Sequence, residues 1–446
     1  MKAVATKEEP NIFAKLNPAF AYFFACLPVI TMLFGFAIPS EAITIEMFYT
    51  IWLLIYAIIF ISFSISNFAW IKNATTKDKI VLSIICIIIT MFFWVVLSAI
   101  ITKTFAIETI FMLSYALLFA CVMLLNKKQI KIFLHILLAS ICFCFLINIC
   151  DPSGKVIEYF AQDNSANYAS VFAHSNYSST VASMLIMVTL NLAIFCKKKW
   201  LTVLYAFYFV VFSVFIYLNA SFAGITAVYF MLVVEFVILW IKNKKCPWQI
   251  LAFFAGFVGI SLLLELIPNV HQYSTSKYNY FVEVTAVFDN IFHTHLLQDI
   301  FHIEIVPGSD GWNRGGLLKH AIYVACGGEK TGFFAKLFTI LFGVGAGSVS
   351  ELRPHNFFVG LWLEYGLVFA LLFVALLVLA FIYIIKKTSG KTSSALPFLF
   401  AVGCYMFCTI FGSIKAYHFI YLIVIVAIAT KLAIITSQEK KLENAD

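Results

Sequence analysis

The chain has 446 residues, of which 63% are hydrophobic and 12% charged, and its formal net charge is +8. A soluble domain is about half apolar and a quarter charged, so the composition excludes a soluble globular protein and indicates a polytopic membrane protein. The positive charge does not indicate a nucleic-acid binder, because no basic pattern with interleaved aromatic residues accompanies it. The eleven cysteines show no CxxC or Cys/His spacing of the kind that predicts a metal site.

Twelve apolar stretches are long enough to cross a bilayer as helices, which takes about 20 residues each. They are residues 18–38, 48–65, 80–101, 106–125, 130–149, 177–196, 201–218, 224–241, 250–267, 356–385, 396–414 and 417–435. The sequence therefore predicts an all-α protein with about twelve transmembrane helices and one large loop between helices nine and ten. We divide it into residues 1–267 with spans one to nine, residues 268–355 with the loop, and residues 356–446 with the last three spans and a short tail.

Clusters of lysine follow every even-numbered span and set the predicted orientation. They lie at residues 72–79, 127–131, 197–199, 242–245, 386–391 and 440–441. The positive-inside rule places these clusters and both termini in the cytoplasm. The long loop 268–355 is then outside, and loops of this length are uncommon unless they are functional. Its apolar run 333–342 is too short to span, so we expect an interfacial or docked helix there.

The loop also holds both arginines of the chain, although lysine and arginine together number 30. Arg314 lies among Gly311, Gly315 and Gly316, which would let the backbone approach a ligand closely, and Lys319 follows. Arginine offers paired hydrogen bonds to phosphate, so the pattern indicates a phosphate site. The alternative is an arginine that reaches lipid headgroups at the membrane surface.

A glycine-rich run, residues 343–347, precedes the second arginine, and we interpret it as a tight turn. Arg353, Pro354, His355 and Asn356 then stand at the start of span ten. Asn356 is a candidate N-cap of that helix. An imidazole can accept a proton from an attacking hydroxyl near neutral pH, so His355 is a candidate general base. A histidine that caps the helix or faces lipid headgroups is the alternative.

Ionisable residues inside the spans are further candidates, because a carboxylate in a membrane is costly. Glu364 in span ten is predicted to orient the arginine or the histidine just described, and a purely structural pairing is the alternative. Glu235 and Lys431 lie near predicted cytoplasmic helix ends, and we expect them to snorkel. His135 is predicted to be a hydrogen-bonded core histidine.

Polar side chains also stand at the mouth of span six, in the external loop that reads VFAHSNYSS. His174 and Asn176 could bind sugar hydroxyls there. A loop with a helix cap at Ser175 or Asn176 is an equally acceptable interpretation.

Taken together, these motifs resemble the O-antigen ligase and polymerase superfamily of bacterial envelope glycosyltransferases. The most specific pattern is a loop arginine, a glycine turn, HN-x-[FL] and W-x-E-x-G-L, here Arg314 and residues 343–345, 355–358 and 362–367. Phe172 and Asn176 are similar to the superfamily's F-x-x-x-N near span six. The chain departs from the superfamily at Phe222, where an arginine is usual, and at Leu318, where an aromatic residue is usual.

The resemblance implies a C-type glycosyltransferase fold (GT-C) in the bacterial inner membrane, with a periplasmic active site and a role in building the cell envelope. It implies an undecaprenyl-diphosphate-linked glycan as donor, lipid A-core or a growing glycan as acceptor, and neither metal nor cofactor. The implied catalytic residues are His355 as base, Arg314 on the diphosphate and Glu364 as the orienting carboxylate. The implied substrate-binding residues are Arg353, Lys319, Asn356, Asn176 and His174, with Arg353 or Lys319 replacing the cation absent at position 222.

The favoured function within the superfamily is O-antigen ligase, in lipopolysaccharide biosynthesis. An O-antigen polymerase is the second candidate and a protein O-oligosaccharyltransferase the third, since the shared residues describe the donor and not the acceptor. A transporter of lipid-linked glycan is the alternative from a different class. It would favour internal repeats and charges near mid-membrane, and no repeat is visible in the sequence.

Overall fold

The computed structural model describes residues 12–37, 45–66, 79–104, 107–151, 170–172, 175–219, 221–244, 246–266, 310–348, 352, 354, 356–388, 396–410 and 419–443. For residues 310–315 it describes the backbone alone. These ranges hold fourteen α-helices and no strand. They are α1 Ile12–Ala37, α2 Ile45–Ser66, α3 Lys79–Thr102, α4 Ile107–Met123, α5 Lys127–Ile149, α6 Ser175–Phe195, α7 Lys199–Leu218, α8 Phe222–Asn243, α9 Trp248–Glu265, α10 Asp310–Ala325, α11 Phe333–Phe342, α12 Phe357–Thr388, α13 Leu396–Ile410 and α14 Phe419–Glu443.

Each of the twelve apolar stretches predicted from the sequence falls on a helix, namely α1 to α9 and α12 to α14. Within the described ranges, nine of these are long and apolar enough to cross a membrane: α1, α3, α5 to α9, α12 and α14. The structure therefore confirms a helical, polytopic membrane protein. The number of twelve crossings, the external loop and the three-part division stay predictions.

Two helices form the centre of the bundle. Helix α6 packs against α7, α8 and α13, and helix α14 packs against α4, α12 and α13, so α13 joins the two groups. Every residue from 177 to 191 of α6 is buried. Many of these are serine, threonine or alanine, and small residues let neighbouring helices approach closely. Their hydroxyls bond within the helix, as Thr180 Oγ1 does to the carbonyl of Asn176 at 2.8 Å.

The outer surface of the bundle is apolar. Large hydrophobic side chains are exposed along α3, α7 and α9, for example Phe93, Ile100, Val203, Leu262 and Leu263. A soluble protein rarely exposes so much apolar surface, whereas lipid chains cover it at no cost in a membrane. His135 in α5 is hydrogen-bonded as predicted, because its ring nitrogens bond the Tyr205 hydroxyl at 2.8 Å and the Lys131 carbonyl at 2.6 Å. It is half-buried and does not lie in the predicted core position.

Helix α12 is interrupted at its tenth residue, where Gly366 adopts φ +87°. A side chain at this position would overlap the carbonyl group of Leu341, at the end of α11. Helix α11 thus ends against the interruption in α12. The prediction of a docked helix over residues 333–342 is confirmed, because α11 covers these residues and packs against α12 and α3.

Backbone groups at the end of α11 and at the interruption of α12 form hydrogen bonds with each other and with side chains of α3. The Val344 N–H donates to the Leu363 carbonyl at 2.8 Å. From α3, Trp94 Nε1 donates to the Tyr365 carbonyl at 3.0 Å, and Ser98 Oγ donates to the Phe342 carbonyl at 2.6 Å. The Trp94 ring also stacks on Phe342, with centroids 4.9 Å apart. Buried backbone groups need such partners because no water reaches them.

Replacing Gly366 by alanine should prevent this docking, because its positive φ is strained for any other residue and the space is occupied by Leu341. We expect Gly366→Ala to destabilise the protein by more than about 2 kcal/mol. The measurement is the thermal unfolding midpoint of the detergent-solubilised protein. Gly256→Ala in α9 is the matched control, since a Cβ there meets nothing within 4 Å. Equal midpoints for the two variants would contradict the proposed packing.

Candidate functional site

The candidate site is built from α10, the turn after α11 and the first turns of α12. Helices α10 and α11 both pack against α12. Of the predicted site residues, Lys319, Asn356, Glu364 and Asn176 are described with their side chains. Arg314 is described by its backbone alone, within α10. Arg353, His355 and His174 lie outside the described residues, so their predicted roles stay predictions.

Glu364 is the buried carboxylate of this unit, with 8% of its surface exposed. It lies in α12, two residues before the interruption at Gly366. Its Oε1 accepts a hydrogen bond from the backbone N–H of Gly347 at 3.0 Å. A hydrogen bond to an ionised carboxylate is stronger than one between neutral groups. Glu364 therefore anchors the glycine turn to α12, a partner that the sequence did not indicate.

The glycine-rich run forms the tight turn that the sequence predicted. Gly343, Gly345 and Gly347 have φ values of +79°, +116° and +91°, which glycine adopts more readily than any other residue. A Cβ on Gly343 would lie 2.6 Å from the backbone of Glu364, and a Cβ on Gly345 would overlap Thr104, just after α3. The turn is thus held between α3 and α12. Because the Gly347 N–H already bonds Glu364, this amide is not open to a phosphate ligand.

Asn356 begins α12 as its N-cap, which confirms the prediction for this residue. Its Oδ1 accepts from the Val359 N–H at 3.1 Å, the usual bond of a capping side chain. Its Nδ2 donates to the Ile410 carbonyl at 3.1 Å, in the last turn of α13. The side chain therefore fixes the start of α12 and ties it to α13. Any contribution to substrate binding stays a prediction.

Helix α10 brings Arg314 into the same unit. Its buried residues Ala321, Val324 and Ala325 pack in one cluster with Leu363, the neighbour of Glu364. Lys319 is exposed, and so is His320, which the sequence analysis did not single out. Gly315 and Gly316 lie within the helix, and a Cβ on Gly316 would meet nothing within 4 Å. The sequence analysis placed these glycines at a close backbone approach to a ligand. In the structure they are helical, and the space beside Gly316 is open.

A second polar cluster lies at the ends of α5, α6 and α7 that are predicted to face outside. Asn219, directly after α7, is buried and its Nδ2 donates to Ser178 Oγ at 2.9 Å and Ser179 Oγ at 3.0 Å. Asn176 is half-buried just above these serines, and it lies inside the first turn of α6, which starts at Ser175. Asn219 is not among the site residues predicted from the sequence. Its role in joining helices was missed, because only the folded bundle brings it to α6.

Asn148 belongs to the same layer by its position. The rings of Phe145 in α5 and Phe215 in α7 stack with centroids 3.8 Å apart. Asn148 follows Phe145 by one helical turn, and Asn219 follows Phe215 by one turn, so the two asparagines lie at a similar level of the bundle. Asn148 is fully buried, and neither atom of its amide has a partner within the described part of the chain. A buried amide without partners is unfavourable, so this layer has capacity for a polar ligand or water.

Removing the Glu364 carboxylate should release the glycine turn. We expect Glu364→Ala to cost about 1–3 kcal/mol of stability, because it removes the side-chain acceptor of the partly buried Gly347 N–H. Glu364→Gln should cost less, since its amide oxygen can accept the same bond. The unfolding midpoint in detergent measures both. Glu329→Ala, at an exposed position, is the control. An alanine variant at position 364 as stable as this control would show that the contact does not hold the turn.

Comparison with known proteins gives no family for this chain: no protein-family model matches it, and no curated protein sequence matches it.

Proposed function

We propose that this protein is an integral-membrane glycosyltransferase of the GT-C type. It moves a glycan from undecaprenyl diphosphate to an acceptor hydroxyl on the periplasmic face of the inner membrane. We further propose that it is an O-antigen ligase, with lipid A-core as the acceptor. The observation that supports this most directly is the packing of α10, the glycine turn and α12 into one unit around Glu364. That unit contains every part of the loop-arginine, glycine-turn and W-x-E-x-G-L pattern that the structure describes.

The placement of Arg314 fits binding of a diphosphate. It lies in α10, four residues after Asp310. Its guanidinium carries a permanent charge and offers paired hydrogen bonds to phosphate oxygens. Lys319 is exposed on the same helix and supplies a second cation. Packing of the other end of α10 on Leu363 fixes this helix relative to the carboxylate of Glu364.

The proposed reaction breaks one bond and forms another at the anomeric carbon of the first sugar. The acceptor hydroxyl oxygen forms the new bond to this carbon while His355 takes its proton. The bond from the carbon to the diphosphate oxygen breaks, and both of its electrons leave with the diphosphate. Arg314, with Arg353 or Lys319, stabilises the charge that develops on this leaving group. Glu364 holds the glycine turn that precedes Arg353 and His355 in the sequence, and Asn356 fixes the start of the helix that follows them.

The two central residues can be tested separately from the fold. His355→Ala should lower glycan transfer by roughly 100- to 10,000-fold, which is the usual contribution of a general base. Arg314→Ala should abolish transfer through loss of the diphosphate contact. The measurement is transfer by purified protein in lipid vesicles, supplied with the lipid-linked glycan and lipid A-core.

His320→Ala and Lys330→Ala are the matched controls, because both side chains are exposed and have no part in the proposed reaction. They should retain activity, and all four variants should be present in the membrane at the level of the unsubstituted protein. Transfer that persists in both His355→Ala and Arg314→Ala would rule out the mechanism.

The acceptor is identified by the lipopolysaccharide of cells that lack the gene. Loss of all O-antigen bands, with accumulation of lipid-linked polymer, is the result expected for a ligase. Core carrying a single repeat unit would instead assign the polymerase function. An unchanged pattern with altered glycoproteins would assign protein glycosylation. Gel electrophoresis of whole-cell lipopolysaccharide distinguishes these outcomes.

A further inference from the structure

A second buried carboxyl group lies inside the bundle, away from the candidate site. Glu235 is in α8 and has no exposed surface. Its position near a helix end predicts that it snorkels towards the cytoplasm, and the structure shows that this prediction is wrong. The side chain faces α6, where Asn191 Nδ2 donates a hydrogen bond to its Oε2 at 3.2 Å. Tertiary packing of α8 on α6 buries it, and hydropathy alone does not reveal that contact.

The pair leaves two acceptor atoms without donors. Asn191 Nδ2 uses its second N–H on the Met187 carbonyl at 2.8 Å. Glu235 Oε1 and Asn191 Oδ1 have no hydrogen-bond partner among the described residues. Exchanging the amide oxygen and nitrogen of Asn191 does not solve this, since Oδ1 would then face the Met187 carbonyl and Glu235 Oε2, which are both acceptors. The site therefore has an excess of acceptors in either assignment.

An ionised carboxylate at this place would be strongly unfavourable. A buried charge needs a paired countercharge or several hydrogen-bond donors, and Glu235 has one amide donor. No lysine of the described ranges forms an ion pair with it, including the half-buried Lys431 of α14. A metal ion bound through oxygen would need several more ligands than the two free oxygen atoms supply. A proton meets the requirement, because it converts one acceptor into a donor.

We propose that Glu235 and Asn191 form a proton-binding site inside the membrane bundle. The proton resides on Glu235 Oε1 and is donated to Asn191 Oδ1, while Asn191 Nδ2 donates to Glu235 Oε2. One proton thus gives partners to both acceptor atoms that otherwise lack them. The result is a neutral bridge of two hydrogen bonds between a carboxylic acid and an amide, which joins α6 to α8.

The bridge completes a series of polar contacts along the central helix α6. Ser178 and Ser179 bond Asn219 at one end, and Ser183 lies 3.2 Å from the Cys408 sulfur of α13 in the middle. Asn191 occupies the other end, about 20 Å from Ser178 at 1.5 Å per residue. Each contact joins α6 to a different helix or segment. This inference does not depend on the proposed transferase activity.

Infrared difference spectroscopy at neutral pH tests the charge state directly. The spectrum of the unsubstituted protein minus that of Glu235→Gln should contain the carbonyl stretch of a protonated carboxylic acid. It should lack the bands of a carboxylate. Asn191→Leu should shift the acid band, because it removes both hydrogen bonds of the bridge. The exposed Glu329 is the control, and Glu329→Gln should change only carboxylate bands. Loss of carboxylate bands in Glu235→Gln, without an acid band, would overturn the proposal.

Unfolding in detergent provides a second, independent readout. Glutamine is neutral and offers both an N–H and a carbonyl, so Glu235→Gln should keep both bonds to Asn191 and leave the unfolding midpoint unchanged. Glu235→Ala should lower the midpoint, because Asn191 then loses its partner. If Glu235 were ionised and paired with a cation, Glu235→Gln would lower the unfolding midpoint, because that cation would lose its partner. A midpoint for Glu235→Gln as low as that for Glu235→Ala would therefore also overturn the proposal.

Discussion

The need to give every buried backbone group a partner shapes the region around the candidate site. Two segments there break the helical pattern, the turn after α11 and the interruption of α12 at Gly366. Each break frees N–H and carbonyl groups in a region that is largely buried or half-buried, where such groups need partners from the protein. The Val344 N–H of the turn donates to the Leu363 carbonyl of α12, and Trp94 Nε1 of α3 donates to the Tyr365 carbonyl. The two breaks are thus stable only as a pair, and Glu364 with its glycine turn depends on both.

Much of the fold could be predicted because its signals are local. All twelve apolar stretches fall on helices, because the length and hydropathy of a stretch are enough to predict a membrane-spanning helix. The short helix α11 and the cap at Asn356 were also predictable. The length of an apolar run and the residue type at a helix start are both visible within a few residues of sequence. The glycine turn belongs to the same class, since three glycines in five residues favour positive φ values.

The contacts of the candidate site could not be predicted in this way. Gly366 stands in an apolar stretch that reads as continuous helix, and the residue that requires it, Leu341, comes from another helix. The bond of Glu364 to a backbone amide depends on the position of the whole α11 turn, which no local pattern indicates. Its predicted role in orienting Arg353 or His355 stays a prediction. For Glu235 the prediction failed, because distance from a helix end does not say which face a neighbouring helix covers. The predicted roles of Arg353, His355 and His174 rest on the sequence pattern, since these residues lie outside the described ranges.

Glu364 and Glu235 are the two buried carboxyl groups among the described residues, and their surroundings differ. Glu364 accepts a backbone N–H at the end of α12 that is predicted to face outside, and it lies in the unit that also carries Arg314. Glu235 faces an amide that leaves an acceptor free, and this arrangement favours the neutral acid. In its proposed neutral form, the pair of Glu235 and Asn191 joins α6 to α8 without placing an unpaired charge inside the bundle.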